Sequence, residues 1–313
     1  MVSRKIYVGI DVSKKNLDVY ISLNNMSKTF VNCTKEIEEL VSFLVEIKAY
    51  LIVIEPTGGL EKEVVDLMIE KGLRVTKINP RRARRFAEAS NVAKTDKVDA
   101  KMLCKFGYAF ESNLEIVKKL DGKEEKIKEL STRRKQLLKI KVQEFNRGRW
   151  LKDSDLLDSI KRINCLIEEE IKLIEVKIRE LIKSSYKLNN KFNIIKSFPG
   201  MGEKTTNQVI GSLPELGSIE KKKIARLVGV APINNDSGMF KGKRSIKGGR
   251  FHVRASLYMA TLSATRHNPK IKAFYQKLLS KGKLKKVALI ACMHKLIHIL
   301  NSMVANNVMW QNP

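Results

Sequence analysis

The sequence predicts an α/β layer domain at its start, a long helical segment in its middle and a mainly α-helical region at its end. Residues 1–114 alternate β-rich apolar segments with helix-like ones, the pattern of a sheet layered with helices. Residues 115–190 contain no proline and only two glycines, Gly122 and Gly148, with dense charge and apolar residues at helical spacing. Residues 191–313 open on SFPGMGEKT and stay helix-like, interrupted by the loop APINNDSGMFKGKRSIKGGR at 231–250.

In order along the chain, KIYVGID (5–11) and LDVYISL (17–23) read as strands joined by a polar turn, with 28–33 as a third strand of the same antiparallel set. A helix over 35–48 follows. LIVIE (51–55) is a short continuous apolar run, as a central buried strand would be. A helix over about 59–71 and a strand LRVTKI (73–78) complete the layer. In the middle segment, Leu157, Ile160, Asn164, Ile167, Ile171, Ile174, Ile178 and Leu181 alternate three and four apart, a coiled-coil-like seam in which Asn164 can set register. That seam fits one arm of an intramolecular helical hairpin or a dimerising coiled coil. In the C-terminal region, Gly200 and Gly202, followed by Lys204, resemble the turn of a helix-hairpin-helix element, in which the backbone approaches a phosphate. An ordinary glycine-rich connection reads the same.

Lys and Arg number 61 against 33 Asp and Glu, a formal net charge of +28. Self-repulsion of that size calls for an anionic partner, and nucleic acid fits best because neutralising phosphates releases counterions. No apolar run approaches the roughly 18 residues of a membrane span, and Gly9 and Asp11 interrupt the first apolar run too early for a signal peptide. Cys33, Cys104, Cys165 and Cys292 are scattered without a CxxC pair, as free thiols in a reducing cytoplasm would be.

Four acids stand out. Asp11 ends the first apolar strand, Glu55 ends LIVIE, and Asp96 and Asp99 lie three apart in AKTDKVDAKML, on one face of a helix. Strand ends facing a cleft are where α/β folds place chemistry. Carboxylates that converge repel one another unless a cation neutralises them, and an all-oxygen set suits Mg²⁺ or Mn²⁺. Two such ions about 4 Å apart would stabilise the attacking and leaving oxygens of a phosphodiester. Taken singly, Asp11 also reads as a turn cap and Asp96 as a helix cap.

The cations cluster as well. Arg81, Arg82, Arg84 and Arg85 follow Pro80 as a phosphate or RNA contact, or as a solvated helix face. Lys241, Lys243, Arg244, Lys247 and Arg250 make the 231–250 loop cationic, fit to grip phosphates. Ser237 stands at that loop's start beside Asp236, where a serine is ordinarily a turn residue.

YVGIDVSKKNLDVY, IEPTGG, INPRRARRFA and AKTDKVDAKML resemble the DEDD-type N-terminal domain of insertion-sequence-110-type transposases, and LVGVAPINNDSGMFKGKRSIKGGRFHVRASLYMATLSATRHNP resembles that family's C-terminal domain. The resemblance implies an RNase-H-like (RuvC-like) fold for 1–114, a helical segment at 115–190 and a serine-bearing transposase domain at 191–313. It implies metal binding by Asp11, Glu55, Asp96 and Asp99, and matches neither Asp18 nor Asp66 to a family acid. It implies that Ser237 is the nucleophile that takes a 5′ phosphate covalently, and that a structured non-coding RNA pairs with donor and target DNA. A reaction that needs both domains points to a dimer or tetramer, for which the helical segment is a candidate contact. The alternatives are a metal-dependent junction nuclease without serine chemistry and a non-catalytic nucleic-acid-binding protein.

Overall fold

The computed structural model describes residues 5–89, 96–119, 121–234, 236–237, 240–242 and 244–311; side chains of 96–98, 236, 237, 240 and 241 lie outside that description. The chain divides into two compact units, Met1–Lys119 and Leu120–Pro313.

The first unit is a five-stranded mixed sheet with helices. Its elements are β1 (Tyr7–Val12), β2 (Asn16–Ile21), β3 (Met26–Val31), α1 (Thr34–Glu46), β4 (Leu51–Ile54), α2 (Lys62–Glu70), β5 (Val75–Lys77), α3 (Pro80–Ala89) and α4 (Asp96–Phe110). The strand order is β3-β2-β1-β4-β5, so β1 is the middle strand and β4 (LIVIE) is an interior, fully buried strand as expected. β1–β2–β3 form an antiparallel meander, while β4 and β5 run parallel to β1 through helical crossovers. The sheet face carrying Val8, Ile10, Ile52 and Ile54 packs with Leu40 and Leu44 of α1 and Val64 and Met68 of α2. The other face, with Tyr7, Leu51 and Val53, packs with Leu103, Cys104 and Phe106 of α4. Alternating side chains on each strand therefore serve two separate cores.

Gly9 decides how close α4 comes. A Cβ there would lie 2.0 Å from the Ala100 carbonyl oxygen and 2.5 Å from the Cys104 amide nitrogen. At the sheet's far end, Glu111, just past α4, accepts hydrogen bonds from Tyr7 Oη (2.6 Å), Tyr50 Oη and Lys5 Nζ (3.0 Å). Those donors hold the Glu111 carboxyl down at about 2, and burial together with Glu111 pushes the Tyr7 phenol up to about 12. Gly9→Ala is expected to destabilise the first unit by about 3 kcal/mol or more, because helix backbone rather than a side chain blocks the added methyl. A denaturant titration of the full chain checks this; a midpoint unchanged from wild type would show that α4 yields freely.

The second unit is mainly helical: α5 (Gly122–Gly148), α6 (Ser154–Lys183), α7 (Tyr186–Lys196), α8 (Glu203–Ser212), α9 (Lys221–Val228), the short strands β6 (Pro232–Ile233), β7 (Asp236–Ser237), β8 (Phe240–Lys241) and β9 (Ser245–Ile246), then α10 (Phe251–His267), α11 (Pro269–Ser280) and α12 (Lys285–Ala305). Asp121 caps α5 through a capping box with Glu124, and Asp153 caps α6, so both long helices start where their sequences supply an N-terminal acceptor. α5 and α6 pack against each other within the chain. Arg134–Glu175 and Lys141–Glu168 bridge them, advancing along one helix while retreating along the other, as an antiparallel hairpin requires. The expected seam is buried from Ile167 to Ile178, but Leu157 and Ile160 are only half-buried, and Ile182 rather than Leu181 takes the next core place.

α12 bears on the expectation of no membrane span. It is long and apolar enough by length and composition to cross a membrane. Cys292, Met293, Leu296, Ile297 and Leu300 are instead fully buried in the core of the second unit, so its apolarity is that of a core helix.

Candidate active site

The acid cluster is assembled by strand register. β1 and β4 are parallel neighbours with Ile10 opposite Ile54, which makes Asp11 and Glu55 the next cross-strand neighbours. Adjacent strands lie about 4.8 Å apart. Because Ile10 and Ile54 face α1 and α2, alternation turns Asp11 and Glu55 to the face covered by α4.

α4 runs antiparallel to β1 on that face. Cys104 Sγ hydrogen-bonds the Tyr7 carbonyl at 3.2 Å, and Ala100 abuts Gly9. Two residues further along β1 is Asp11, and four residues back along α4 is Asp96. These steps are both about 6 Å long, at roughly 3.3 Å per strand residue and 1.5 Å per helix residue. The first turn of α4, Asp96–Asp99, therefore stands at the sheet end that carries Asp11 and Glu55. The structure describes the backbone of Asp96 but not its side chain. Glu55 and Asp99 line one cavity of about 590 Å³, with Leu103 and Phe106 in its apolar wall.

α3 supplies the cavity's other wall. Asn79 Oδ1 accepts the Arg81 backbone N–H at 2.9 Å, and Pro80 occupies the first helical position, so the chain turns into α3 there. The four arginines then divide by helical phase. Arg81 and Arg84, three apart, line the cavity with Glu88, while Arg82 stacks over the Phe106 ring at 5.3 Å from its centroid. Arg85 is exposed and is not part of the cavity wall.

Two further acids lie near the cluster: Asp18, set aside in the sequence, and Glu61, which sequence reasoning missed. Asp18 is the antiparallel partner of Asp11 and so shares its face, but its Oδ1 accepts the Thr29 hydroxyl at 2.6 Å. Glu61, 6% exposed, accepts the backbone N–H of Thr57 (3.2 Å) and Gly59 (3.0 Å), and its other oxygen pairs with Lys77 Nζ at 3.0 Å. It ties the turn that follows Glu55 to the end of β5. Burial alone would raise the Glu61 carboxyl; Lys77 and the backbone donors outweigh it and bring it down to about 2. A carboxyl lowered on folding stabilises above its unfolded value of about 4.3 and loses that contribution as pH falls toward 2. Glu61→Gln is therefore expected to melt below wild type at pH 7 and to converge with it as pH falls to about 2. A gap independent of pH would place the effect in packing rather than in the Lys77 pair.

The chemistry of these donors fits a hard divalent cation: clustered carboxylates of low intrinsic repulsion only when neutralised, and all oxygen. Thr57 Oγ1, two residues past Glu55, is also buried with no hydrogen-bond partner among the described residues. Among the described residues, no three His, Cys, Asp or Glu side chains already stand close enough to hold an ion.

In the second unit, the 231–250 segment is not the open loop its composition suggests but a narrow β-ribbon. Pro232 and Ile233 pair with Ile246 and Ser245, and further out Asp236 and Ser237 pair with Lys241 and Phe240. Ser237 is thus the last paired residue of β7. The ribbon's base is fixed by Arg254, whose Nη1 donates to the carbonyls of Gly248 (2.6 Å) and Gly229 (3.2 Å).

The cations near the ribbon have different fates. Arg244 and Lys247 are exposed; Lys243 lies outside the described residues, as does the Lys241 side chain. Arg250, expected to grip phosphate, makes a bidentate pair with Glu215 (2.7 and 2.6 Å) and donates to the Ser212 carbonyl at 2.9 Å. Its guanidinium is committed to tethering the start of α10. His252, on the first turn of α10, is pushed down to about 4 by burial and by the charges of Lys135 and Arg250, so it is neutral at physiological pH. Gly200 (φ 110°) is required by packing, since a Cβ there would lie 2.8 Å from Ala260 O and from Ala264 in α10. Gly202 is open on its Cβ side and precedes α8. Lys204 is exposed and lies 3.8 Å from Glu175.

Comparison with known proteins agrees with this architecture. Residues 8–151 match the DEDD transposase domain of the IS110 type, and residues 192–276 match the domain described as Transposase IS116/IS110/IS902 family. The pilin gene-inverting protein of Moraxella bovis is 26% identical over 318 residues, and that of Moraxella lacunata 26% over 321, each alignment covering 97% of both chains. The DEDD domain type brings with it a general dependence on divalent metal. With both domains present and its relatives aligned almost end to end, the chain belongs to the IS110-type transposases and recombinases, enzymes that cut and rejoin DNA.

Proposed function

We propose that this transposase uses an RNase-H-like (RuvC-like) domain, whose Asp11, Glu55, Asp96 and Asp99 hold Mg²⁺ or Mn²⁺, together with Ser237 as its nucleophile. The observation that carries the first part is register: Asp11 and Glu55 are neighbours on adjacent strands, facing the helix that begins at Asp96. A bound divalent ion supplies charge neutralisation at the non-bridging and leaving oxygens of a phosphodiester. The rest is done by this chain's side chains. Arg81 and Arg84, on the cavity wall beside Glu55 and Asp99, hold the phosphate by charge-assisted hydrogen bonds. Ser237 Oγ loses its proton to a base and attacks phosphorus; the P–O3′ bond breaks, leaving a 3′ hydroxyl and a 5′ phosphate on the serine. A 3′ hydroxyl then attacks that phosphoserine, rejoining the strand and freeing the serine. Placement at a ribbon tip, on a base pinned by Arg254, suits a side chain that must reach into a DNA groove.

In this reading Arg244, Lys247, Lys204 and the Gly202 turn contact nucleic acid, with residues 191–313 as the serine domain and 115–190 as an assembly segment. Leu156, Leu166 and Leu173 of α6 stay more than half exposed, as a contact between copies in a dimer or tetramer would need. A structured RNA chooses donor and target by base pairing, and the reaction takes place in the cytoplasm, where the DNA is. Relatives named for inverting a pilin gene make site-specific rearrangement the kind of outcome expected.

The test is an incubation of the protein, its copurified RNA and DNA carrying an element end with Mg²⁺, followed by denaturing electrophoresis. A covalent protein–DNA species with a free 3′ hydroxyl on the released strand is expected. Cleavage without any covalent species would leave a metal-dependent nuclease in which Ser237 is a ribbon residue.

A further inference from the structure

A strip of uncompensated positive charge runs along α11 and the turn into α12, partly beyond the matched residues 192–276. Asp236 is the last acid in the chain: residues 237–313 contain 15 Lys and Arg and no Asp or Glu. On α11, Lys270, Lys272 and Lys277 are exposed, and so are Lys281, Lys283 and Lys285 in the turn and at the start of α12. Among the described residues none of the six forms an ion pair; only Lys270 has a noted partner, the Trp310 ring, 5.9 Å from its nitrogen. Some lysines earlier in the same unit are compensated instead. Lys126, Lys141, Lys161 and Lys187 each pair with an acid.

The chemistry of the strip selects its occupant. Six like charges without counter-charges are costly unless a polyanion covers them. Lysines are point charges that grip phosphates, with none of the planar forks that read base edges. In residues 266–287 Phe274 and Tyr275 are half-buried and His267 is the one exposed aromatic ring, so unstacked single-stranded bases find little platform there. Leu284 and Val287 are the exposed large apolar side chains in this stretch, too few for the apolar face of a membrane-surface helix. α11 is about 18 Å long, enough to follow roughly five steps of a duplex strand at 3.4 Å each. DNA is the molecule on which this enzyme family acts.

We propose that α11 and the α11–α12 turn form a second nucleic-acid surface, a sequence-independent track for the phosphate backbone of duplex DNA. It rests on the family's DNA substrate and not on the metal or serine assignments. It holds duplex in place without choosing sequence.

The test is equilibrium binding of the full chain to a short random-sequence DNA duplex, without divalent ion so that no strand is cut, over a series of salt concentrations. Each phosphate contact contributes about 0.9 to the slope of log affinity against log salt. Replacing Lys272, Lys277, Lys281 and Lys283 together by Gln is expected to lower that slope by about 3 and to weaken binding at least tenfold at about 0.1 M salt. Replacing the acid-paired Lys126, Lys141, Lys161 and Lys187 by Gln is expected to change it far less. Should the first variant melt early, Lys277→Gln with Lys283→Gln gives the same readout at about half the slope change. A slope equal to wild type, or a loss confined to duplex RNA, would overturn the proposal.

Discussion

Asp11→Asn or Glu55→Gln is expected to cut the rate of DNA cleavage by about a thousandfold or more, with duplex binding and melting temperature little changed. The two side chains stand at the ends of adjacent parallel strands, Asp11 within β1 and Glu55 just past β4, so each amide replacement keeps the shape of its neighbourhood and removes one negative charge. If the carboxylates hold the ion that stabilises developing charge on the phosphate, the loss is several kcal/mol in the transition state, and each 1.4 kcal/mol is tenfold in rate. Chelation of divalent ions should reproduce the same loss in wild type. Near-wild-type cleavage by either variant would remove that acid from the reaction. The contrast with Gly9→Ala is informative, since that substitution acts through the fold: it should lower both stability and rate.

Ser237→Ala is expected to abolish the covalent protein–DNA species and strand joining altogether, while the protein still binds DNA. The substitution deletes one oxygen from the last paired residue of a two-stranded ribbon, a place where alanine keeps the backbone pairing, so the fold has little reason to respond. Ser237→Cys should retain a trace of adduct, because a thiolate is nucleophilic but forms a weaker bond to phosphorus. If Ser237→Ala joins strands at the wild-type rate, the nucleophile lies elsewhere. If it cleaves without joining, the acids direct hydrolysis by water, and the serine is what conserves the phosphodiester bond for joining.

Much of the first unit was legible because its signals are local. YVGID and LIVIE are apolar runs of strand length that end on an acid, and both become buried strands, with Asp11 one residue before the end of β1 and Glu55 one residue past the end of β4. LIVIE reads as a buried interior strand, and β4 is one, paired on both edges with β1 and β5; which strands flank it depends on chain topology and was not legible. Glu61 looks like any surface glutamate after a glycine turn; its meaning comes from Lys77, sixteen residues away, and from two backbone donors that only the folded turn presents. Gly9 carries no mark in the sequence of the helix that crosses it. Arg250 reads as one more cation in a basic loop until Glu215, thirty-five residues earlier, folds against it. The ribbon around Ser237 was invisible because ladders of two residues are too short to show alternation. The α6 seam announced a helical partner by its period, but period does not say which helix; α5 provides it within the chain.

The account turns on whether residues from β1, β4 and α4 hold a cation together. Titration of the nucleic-acid-free protein with Mn²⁺, followed by the loss of free-ion paramagnetic resonance signal, measures this without any reaction. Wild type is expected to bind the ion with defined stoichiometry, and Asp11→Asn, Glu55→Gln and Asp99→Asn each to weaken binding at least tenfold, while Asp66→Asn, on α2, leaves it unchanged. Equal Mn²⁺ binding by wild type and all three acid variants would contradict the account.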